Sequence, residues 1–388
     1  MAITSLGYHT FSMLNCVESH YELKEILNAF KSYSKETGLI KIHGFGKKTK
    51  YKKYDNTEFE TYTNYNIFFY NQQKYGVSWT LKFCNYSSNY RFTYIIEARV
   101  NPKILIGTND YITASSEGDF EQLQLCYNNL VKSISAEIPL FSEYTICRID
   151  YCINADIKEM GYDCTAEELM ELLKRSDVPY PLKKSQQYCH TSRRLKDYVN
   201  SFNLECNSYN INCYYKHYQL LNEHPENPAI EASKHVIRFE IQCKYLKVYN
   251  LKEAFRYADN CTELILSDKM SDETVTKYFS KVIMLGDYYS LKMARKMVIE
   301  RDFCTSKQER LLNTLELIST HKGIHKARQH LDDISAKSDF ERSLKELVGM
   351  DINPVTIPRN WGYDYLPNLL KSYRDLKNFN NFNNFKNL

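Results

Sequence analysis

Apolar and polar positions along the chain change their period near residue 250. Before it, runs rich in aromatic and β-branched residues predict strands; after it, apolar residues recur at helical spacing. Residues 61–70, 77–86 and 91–105, parted by Gly76 and by the Ser87, Ser88, Asn89 cluster, predict a three-stranded antiparallel meander. Residues 120–137 carry Leu123, Leu125, Leu130, Val131 and Ile134 ahead of Pro139, an imperfect helical period that predicts a helix. A short helix is predicted over 165–175, capped by Thr165, with Glu167 and Glu168 where the helix dipole favours acids. Helices follow over 273–284, 290–300, 306–319, 324–334 and 340–348, and the Asn353-Pro354 and Ile357-Pro358 pairs interrupt regular structure.

Three further strands, over 144–154, 210–216 and 235–245, separate chemistry by face. Arg148, Asp150 and Asn154 alternate with Cys147, Ile149, Tyr151 and Ile153. Asn212, Tyr214 and Lys216 share a side of the second strand, and Arg238, Glu240, Gln242 and Lys244 a side of the third. The expected fold class is α+β: a mainly antiparallel sheet covered by helices, followed by an all-helical lobe. The change of period sets the expected domains at 1–250 for the α+β part and 251–375 for the helical part. Residues 376–388, with Phe379, Phe382 and Phe385 among asparagines, are expected to be a flexible tail.

Composition narrows the class without naming a function. A chain of 388 residues, 43% apolar and 25% charged, is long enough for a large core or two. No run approaches the roughly 18 apolar residues of a membrane span. The first residues carry neither a basic start nor an apolar block, so a cytoplasmic location and no membrane partner are expected. Twelve cysteines lie scattered with no C-x-x-C pair, which reads as small buried hydrophobes in a reducing compartment. Thirty-three tyrosines accompany many asparagines, lysines and isoleucines, so their abundance alone carries no function. A net charge of +4 says less than the distribution of that charge.

If the three polar-faced strands are neighbours, two carboxylates, several cations and a phenol share one rigid surface. Asp150 and Glu240 can then hold a divalent metal, magnesium or manganese, while Arg148, Arg238 and Lys216 grip phosphate. The plainer alternative is that Asp150 and Glu240 pair with Arg148 and Arg238 across a solvated sheet face. A tyrosine nucleophile faces a definite cost, because a pKa near 10 leaves roughly one phenolate per thousand at neutral pH, about 4 kcal/mol. A metal or neighbouring cations can reduce it.

The strings YTICRIDYCIN, NINCYYKHYQ and HVIRFEIQCKY resemble, in order and approximate spacing, the strands of the replication initiation factor family. These are rolling-circle initiators of plasmids and phages together with relaxases of conjugative transposons. The resemblance spans roughly residues 60 to 250. It implies a sheet related to the histidine-motif endonucleases and a tyrosine that nicks one DNA strand with a divalent metal, leaving a phosphotyrosine link. Carried over position by position, it implies Asp150 and Glu240 as acidic metal-site residues and Lys216 as the lysine of the tyrosine-x-lysine element, with Tyr214 as nucleophile. The chain departs from the pattern at Phe202, where relatives often carry tyrosine, and in lacking a histidine-hydrophobe-histidine motif. Tyr198, Tyr209, Tyr215 and Tyr218 are nearby substitutes for the nucleophile.

Two basic segments suit nucleic acid. Lys47, Lys48, Lys50, Lys52 and Lys53 surround Tyr51, with Tyr54 beside them, so phosphates can meet the cations while a ring stacks on a base. Lys183, Lys184, Arg193, Arg194 and Lys196, with Tyr188, form the loop before the tyrosine strand. In the helical part, 306–319, a turn at 321–323 and 324–334 have the proportions of a helix-turn-helix, with Lys326 and Arg328 early in the second helix, where base readers sit. The aromatic run 360–365 reads as packing. The expected function is a replication initiation protein that binds single-stranded origin DNA, with duplex DNA, a homodimer and a host helicase as further partners. The alternative is a non-enzymatic DNA-binding regulator on a degenerate nuclease fold.

Overall fold

The computed structural model describes residues 3–52, 59–86, 92–108, 110–189, 194–196, 198–254 and 260–386, of which 46–52, 59–63, 72–73, 84–86, 92–93, 187–189, 194–196 and 379–386 are described by backbone alone. In chain order the first elements are β1 (Ser5–Val17), α1 (His20–Thr37), β2 (Ile40–Lys52), β3 (Phe59–Phe69), α2 (Gln72–Tyr75), β4 (Val77–Tyr86) and β5 (Phe92–Val100). Next come α3 (Pro102–Leu105), α4 (Phe120–Ile134), β6 (Thr145–Asp156), α5 (Ala166–Leu173), β7 (Lys183–Lys184), β8 (Gln187–Cys189), β9 (Arg194–Lys196), β10 (Ser201–Glu205) and β11 (Tyr209–Tyr215). Then follow α6 (Lys216–Glu223), β12 (Val236–Cys243), α7 (Tyr245–Glu253), α8 (Cys261–Ile265), α9 (Asp268–Val282), β13 (Tyr288–Tyr289) and α10 (Leu291–Ile299). The chain closes with α11 (Thr305–His321), α12 (Ile324–Gln329), α13 (Ile334–Gly349), β14 (Tyr365–Leu366) and α14 (Leu369–Lys386).

Ten strands make one sheet in the order β2-β3-β4-β5-β1-β6-β12-β11-β10-β7, with antiparallel pairing, and helices dominate the chain after it. The fold is thus the expected α+β class. By compactness the chain divides into two units, each assembled from separated segments: residues 1–5, 152–241 and 272–388 in one, and 6–151 with 242–271 in the other.

In the unit containing residues 6–151, the expected meander is present as β3, β4 and β5. Its third strand stops at Val100, because Pro102 opens the helical turn α3 with Asn101 as its cap. The element β1 lies against β5, and α1 covers the sheet. Ser19 caps α1 by accepting from the Glu22 amide, and Gly38 ends it at φ 67°. Leu23, Ile26, Leu27 and Phe30, at spacings of three and four, are its buried stripe, each contributing about 1.5–3 kcal/mol of transfer free energy. Phe30 lies 5.0 Å from Trp79, whose indole N–H donates to the Tyr127 hydroxyl at 3.2 Å.

In the unit containing residues 152–241, β10 and β11 pair with Ser201 opposite Tyr214 and Phe202 opposite Cys213. The expected strand over 210–216 ends one residue early, and Lys216 opens α6. The helices of this unit close on Ala294, Val298, Leu311, Leu315, Leu347 and Ile352. Two expectations change here. The second helix expected over 324–334 is only Ile324–Gln329, and the segment expected as a flexible tail belongs to α14.

Candidate functional site

Alternation along β6, β11 and β12 aims Asn154, Asn212, Tyr214, Arg238 and Glu240 into one hydrogen-bonded row. The Arg238 Nε donates to Asn154 Oδ1 at 2.5 Å, and its Nη1 donates to the Tyr214 hydroxyl at 3.4 Å. That hydroxyl donates to Glu240 Oε2 at 3.4 Å, while Asn212 Nδ2 donates to Glu240 Oε1 at 3.3 Å. Arg238 and Asn154 are fully buried, Glu240 is nearly so, and Tyr214 is half-buried. Lys216 is 1% exposed; its Nζ donates to Gln219 Oε1 at 2.6 Å and lies 5.9 Å from the centre of the Tyr214 ring.

Burial dominates the electrostatics of this row. It drives the Tyr214 phenol well above its ordinary value; Arg238 pulls the other way and Glu240 adds to the rise. It drives the Lys216 ammonium well below its ordinary value, and Arg238 adds to that fall. Burial also works against the Arg238 charge, but Tyr214, Cys152 and Glu240 together outweigh it. The resting row is therefore a charged arginine beside a protonated phenol, with a lysine pushed toward its neutral amine. Arg238 acts on the phenol in the direction expected of a neighbouring cation, but the desolvation of Tyr214 outweighs it, and Lys216 is itself biased against carrying charge.

Arg148 and Asp150, in the other compact unit, form a fork of their own. Arg148 Nε donates to Asp150 Oδ1 at 3.0 Å and its Nη2 to Oδ2 at 2.9 Å, with Asp150 2% exposed and the arginine side chain 30% exposed. The fit of these acids to a metal ion is poor. Both oxygens of Asp150 face the two donors of Arg148, and those of Glu240 face an amide and a phenol. Among the described residues no three His, Cys, Asp or Glu side chains gather as a ligand set.

The other tyrosines near the site are differently placed. Tyr209 packs on Tyr278 with ring centres 4.6 Å apart, Tyr215 donates to the Lys234 carbonyl, Tyr218 is exposed on α6 and Tyr198 is half-buried. Phe202 is buried.

Lys183 and Lys184 form the edge strand β7, opposite Glu205 and Leu204. Arg193 lies outside the described residues, as do Lys53 and Tyr54, and Arg194 is described by its backbone in β9. Lys47, Lys48 and Lys50 likewise have only their backbone described, in β2, where the pairing with β3 shifts register between Phe45 and Thr49.

The segment expected as a helix-turn-helix consists of α11, the turn at Lys322 and Gly323, and the six-residue α12. Arg328 is no free base reader: its guanidinium donates twice to Asp177, once at 2.8 Å, and to Glu341 at 2.6 Å. Sequence reasoning missed this because the acid partners are distant along the chain. In the 360–365 run, expected as packing, Trp361 and Tyr363 are half-buried and also line an open groove.

No protein-family model matches the chain, and no curated protein matches it. A solved structure described as a rolling circle replication initiator protein from Geobacillus stearothermophilus superposes over 72% of this chain and 85% of its own, with a TM-score of 0.32 and 10% identity.

Proposed function

We propose that the chain is a replication initiation protein that binds origin DNA and breaks one strand by attack of Tyr214 on a backbone phosphate. The observation that carries the reading is the Tyr214 hydroxyl held between the Arg238 guanidinium and the Glu240 carboxylate on a half-buried ring. As the phenolic oxygen approaches phosphorus, Glu240 takes its proton. The new P–O bond to tyrosine forms as the bond to the deoxyribose oxygen breaks, and that oxygen leaves with the electron pair and is protonated from solvent. Arg238 stays beside the phenolic oxygen through the step, and its charge favours the negative charge that develops there. Lys216, with its Nζ 5.9 Å from the ring centre, flanks the nucleophile.

The rise in the Tyr214 pKa makes a free phenolate costlier than the roughly 4 kcal/mol of an ordinary tyrosine at neutral pH, so proton transfer must accompany attack. The phosphotyrosine bond conserves the energy of the broken link for a later rejoining step. Incubating the protein with end-labelled single-stranded DNA, with and without magnesium or manganese, should give a labelled covalent adduct that Tyr214→Phe abolishes. Adducts that persist in Tyr214→Phe refute the assignment of the nucleophile.

A second reading is a DNA-binding regulator without strand cleavage. The protonated, desolvated phenol favours it, because a satisfied polar row can serve the sheet alone. Tight DNA binding with no adduct from the wild-type protein under either metal selects this reading.

A further inference from the structure

Two grooves in the unit containing residues 152–241 and 272–388 meet at shared walls. One, of about 600 Å³, runs beside β7 and α12; the other, of about 1320 Å³, runs between α10 and residues 356–364. Arg175, Glu171 and Lys322 line both. The junction is built by backbone: Lys322 sits in the left-handed region at φ 55°, and Gly323 brings the turn so close that a Cβ there would lie 2.9 Å from the Arg175 carbonyl oxygen. The Ile324 amide donates to that same oxygen at 3.0 Å. Asparagine or glycine would occupy the Lys322 conformation at less cost, so its exposed ammonium is held at the junction despite a conformational penalty.

Charge along the grooves is unbalanced in one direction. Each carboxylate in them already has a partner within the unit: Glu171 has Arg175, Asp177 has Arg328, Glu300 has Lys296, and Asp364 accepts from the Ser290 hydroxyl. Lys183, Lys322, Lys326, Lys292 and Arg359 are exposed and form no ion pair with any described residue. Trp361, half-buried beside Arg359, adds an indole face to the wall of the larger groove. Free cations along grooves whose wall includes a part-exposed indole match the phosphates and unpaired bases of a single strand. A duplex hides its base faces and would leave the ring unused.

We propose that the two grooves form one track for single-stranded DNA, with its phosphates on these five cations and a base stacked on Trp361. The inference deepens the DNA-binding reading and rests on it, but it is independent of strand cleavage. The chain holds two tryptophans, and Trp79 is buried, so Trp361 is the accessible reporter. Oligothymidylate added to the full-length protein should quench tryptophan emission, and Trp361→Phe should remove the quench and weaken binding, followed by anisotropy of a labelled strand, about tenfold.

Replacing Lys322 and Arg359 together by glutamine should reduce the slope of log affinity against log salt by about 0.7 for each phosphate that is no longer neutralised. The proposal is overturned if labelled strand binds without quenching or if either variant binds with unchanged affinity and slope. It is also overturned if polyglutamate competes as well as the oligonucleotide or if a duplex quenches equally. Absence of all DNA binding by the wild type would instead remove the function proposed above, and an adduct without quenching would remove only the track.

Discussion

Two strands of this protein carry an arginine followed two residues later by an acid, and the pattern is used in opposite ways. On β6, Arg148 folds along its own strand face and donates from Nε and Nη2 to the two oxygens of Asp150, with the guanidinium partly in water. On β12, Arg238 is fully buried and reaches to Asn154 and Tyr214, while Glu240 takes the Tyr214 hydroxyl and the Asn212 amide. A partly solvated fork finds its acid two residues along the same strand. A buried arginine needs acceptors wherever the sheet supplies them, and so it organises a row of side chains that includes a phenol. The repeated pattern marks candidates; burial decides which of them is a site.

The sharpest way to break this comparison is to remove charge without changing shape. Glu240→Gln still accepts from Tyr214 but cannot take its proton, so adduct formation should fall by about 10²–10⁴ with DNA binding retained. If Asp150→Asn lowers the rate as far, the two acids act together and the contrast fails. Stability should separate the arginines next. Arg238→Met removes the donor to buried Asn154 and the cation whose charge Glu240 favours, and should cost about 3–5 kcal/mol in denaturant unfolding. Arg148→Met, at a partly exposed position, should cost about 1–3 kcal/mol through the two charge-assisted hydrogen bonds lost to buried Asp150.

Much of this contrast was legible and some was not, for physical reasons. The period-two alternation over 144–154 and 235–245 places Arg148 with Asp150 and Arg238 with Glu240 on common faces, because strand geometry is local. What covers each face is not local. Every residue from Val236 to Ile241 is buried, so the polar side of β12 is no solvated surface, which no property of that segment announces. Arg328 has the same lesson, since its acids lie at 177 and 341. A cut at residue 250 follows the change from strands to helices, whereas the compact units follow spatial proximity and join 152–241 to 272–388. Trp361 could have been flagged by Arg359 and Gly362 beside it, but an aromatic run of this composition equally fits a core segment.

Lys216 tests whether burial rather than pairing governs the row. Its ammonium is held well below the ordinary value of 10.5, so below that pH the unfolded chain binds a proton that the folded chain resists. Wild-type stability should therefore gain from this group as pH rises toward 10.5, and lose it as pH falls. In Lys216→Met that contribution is absent, and the stability difference between variant and wild type should grow in the variant's favour as the solution is made more acidic. A pH-independent difference in denaturant midpoint would mean that Lys216 is charged in the folded protein and is held by its partners.

The smallest effect isolates the single hydroxyl on which the proposed chemistry turns. Tyr214→Phe removes one donor to Glu240 and one acceptor for Arg238, each at 3.4 Å, and should cost about 0.5–1.5 kcal/mol at neutral pH. Because burial raises the folded-state pKa of this phenol above the unfolded value near 10, the wild type binds this proton more tightly when folded. That advantage is complete below pH 10 and declines as the solution is made more alkaline, while phenylalanine has no proton to lose. The stability gap between the two proteins should thus narrow above pH 10 in paired unfolding curves. A gap that widens there would mean that Arg238 holds a phenolate in the folded protein, and the row would then be poised for attack without help from Glu240.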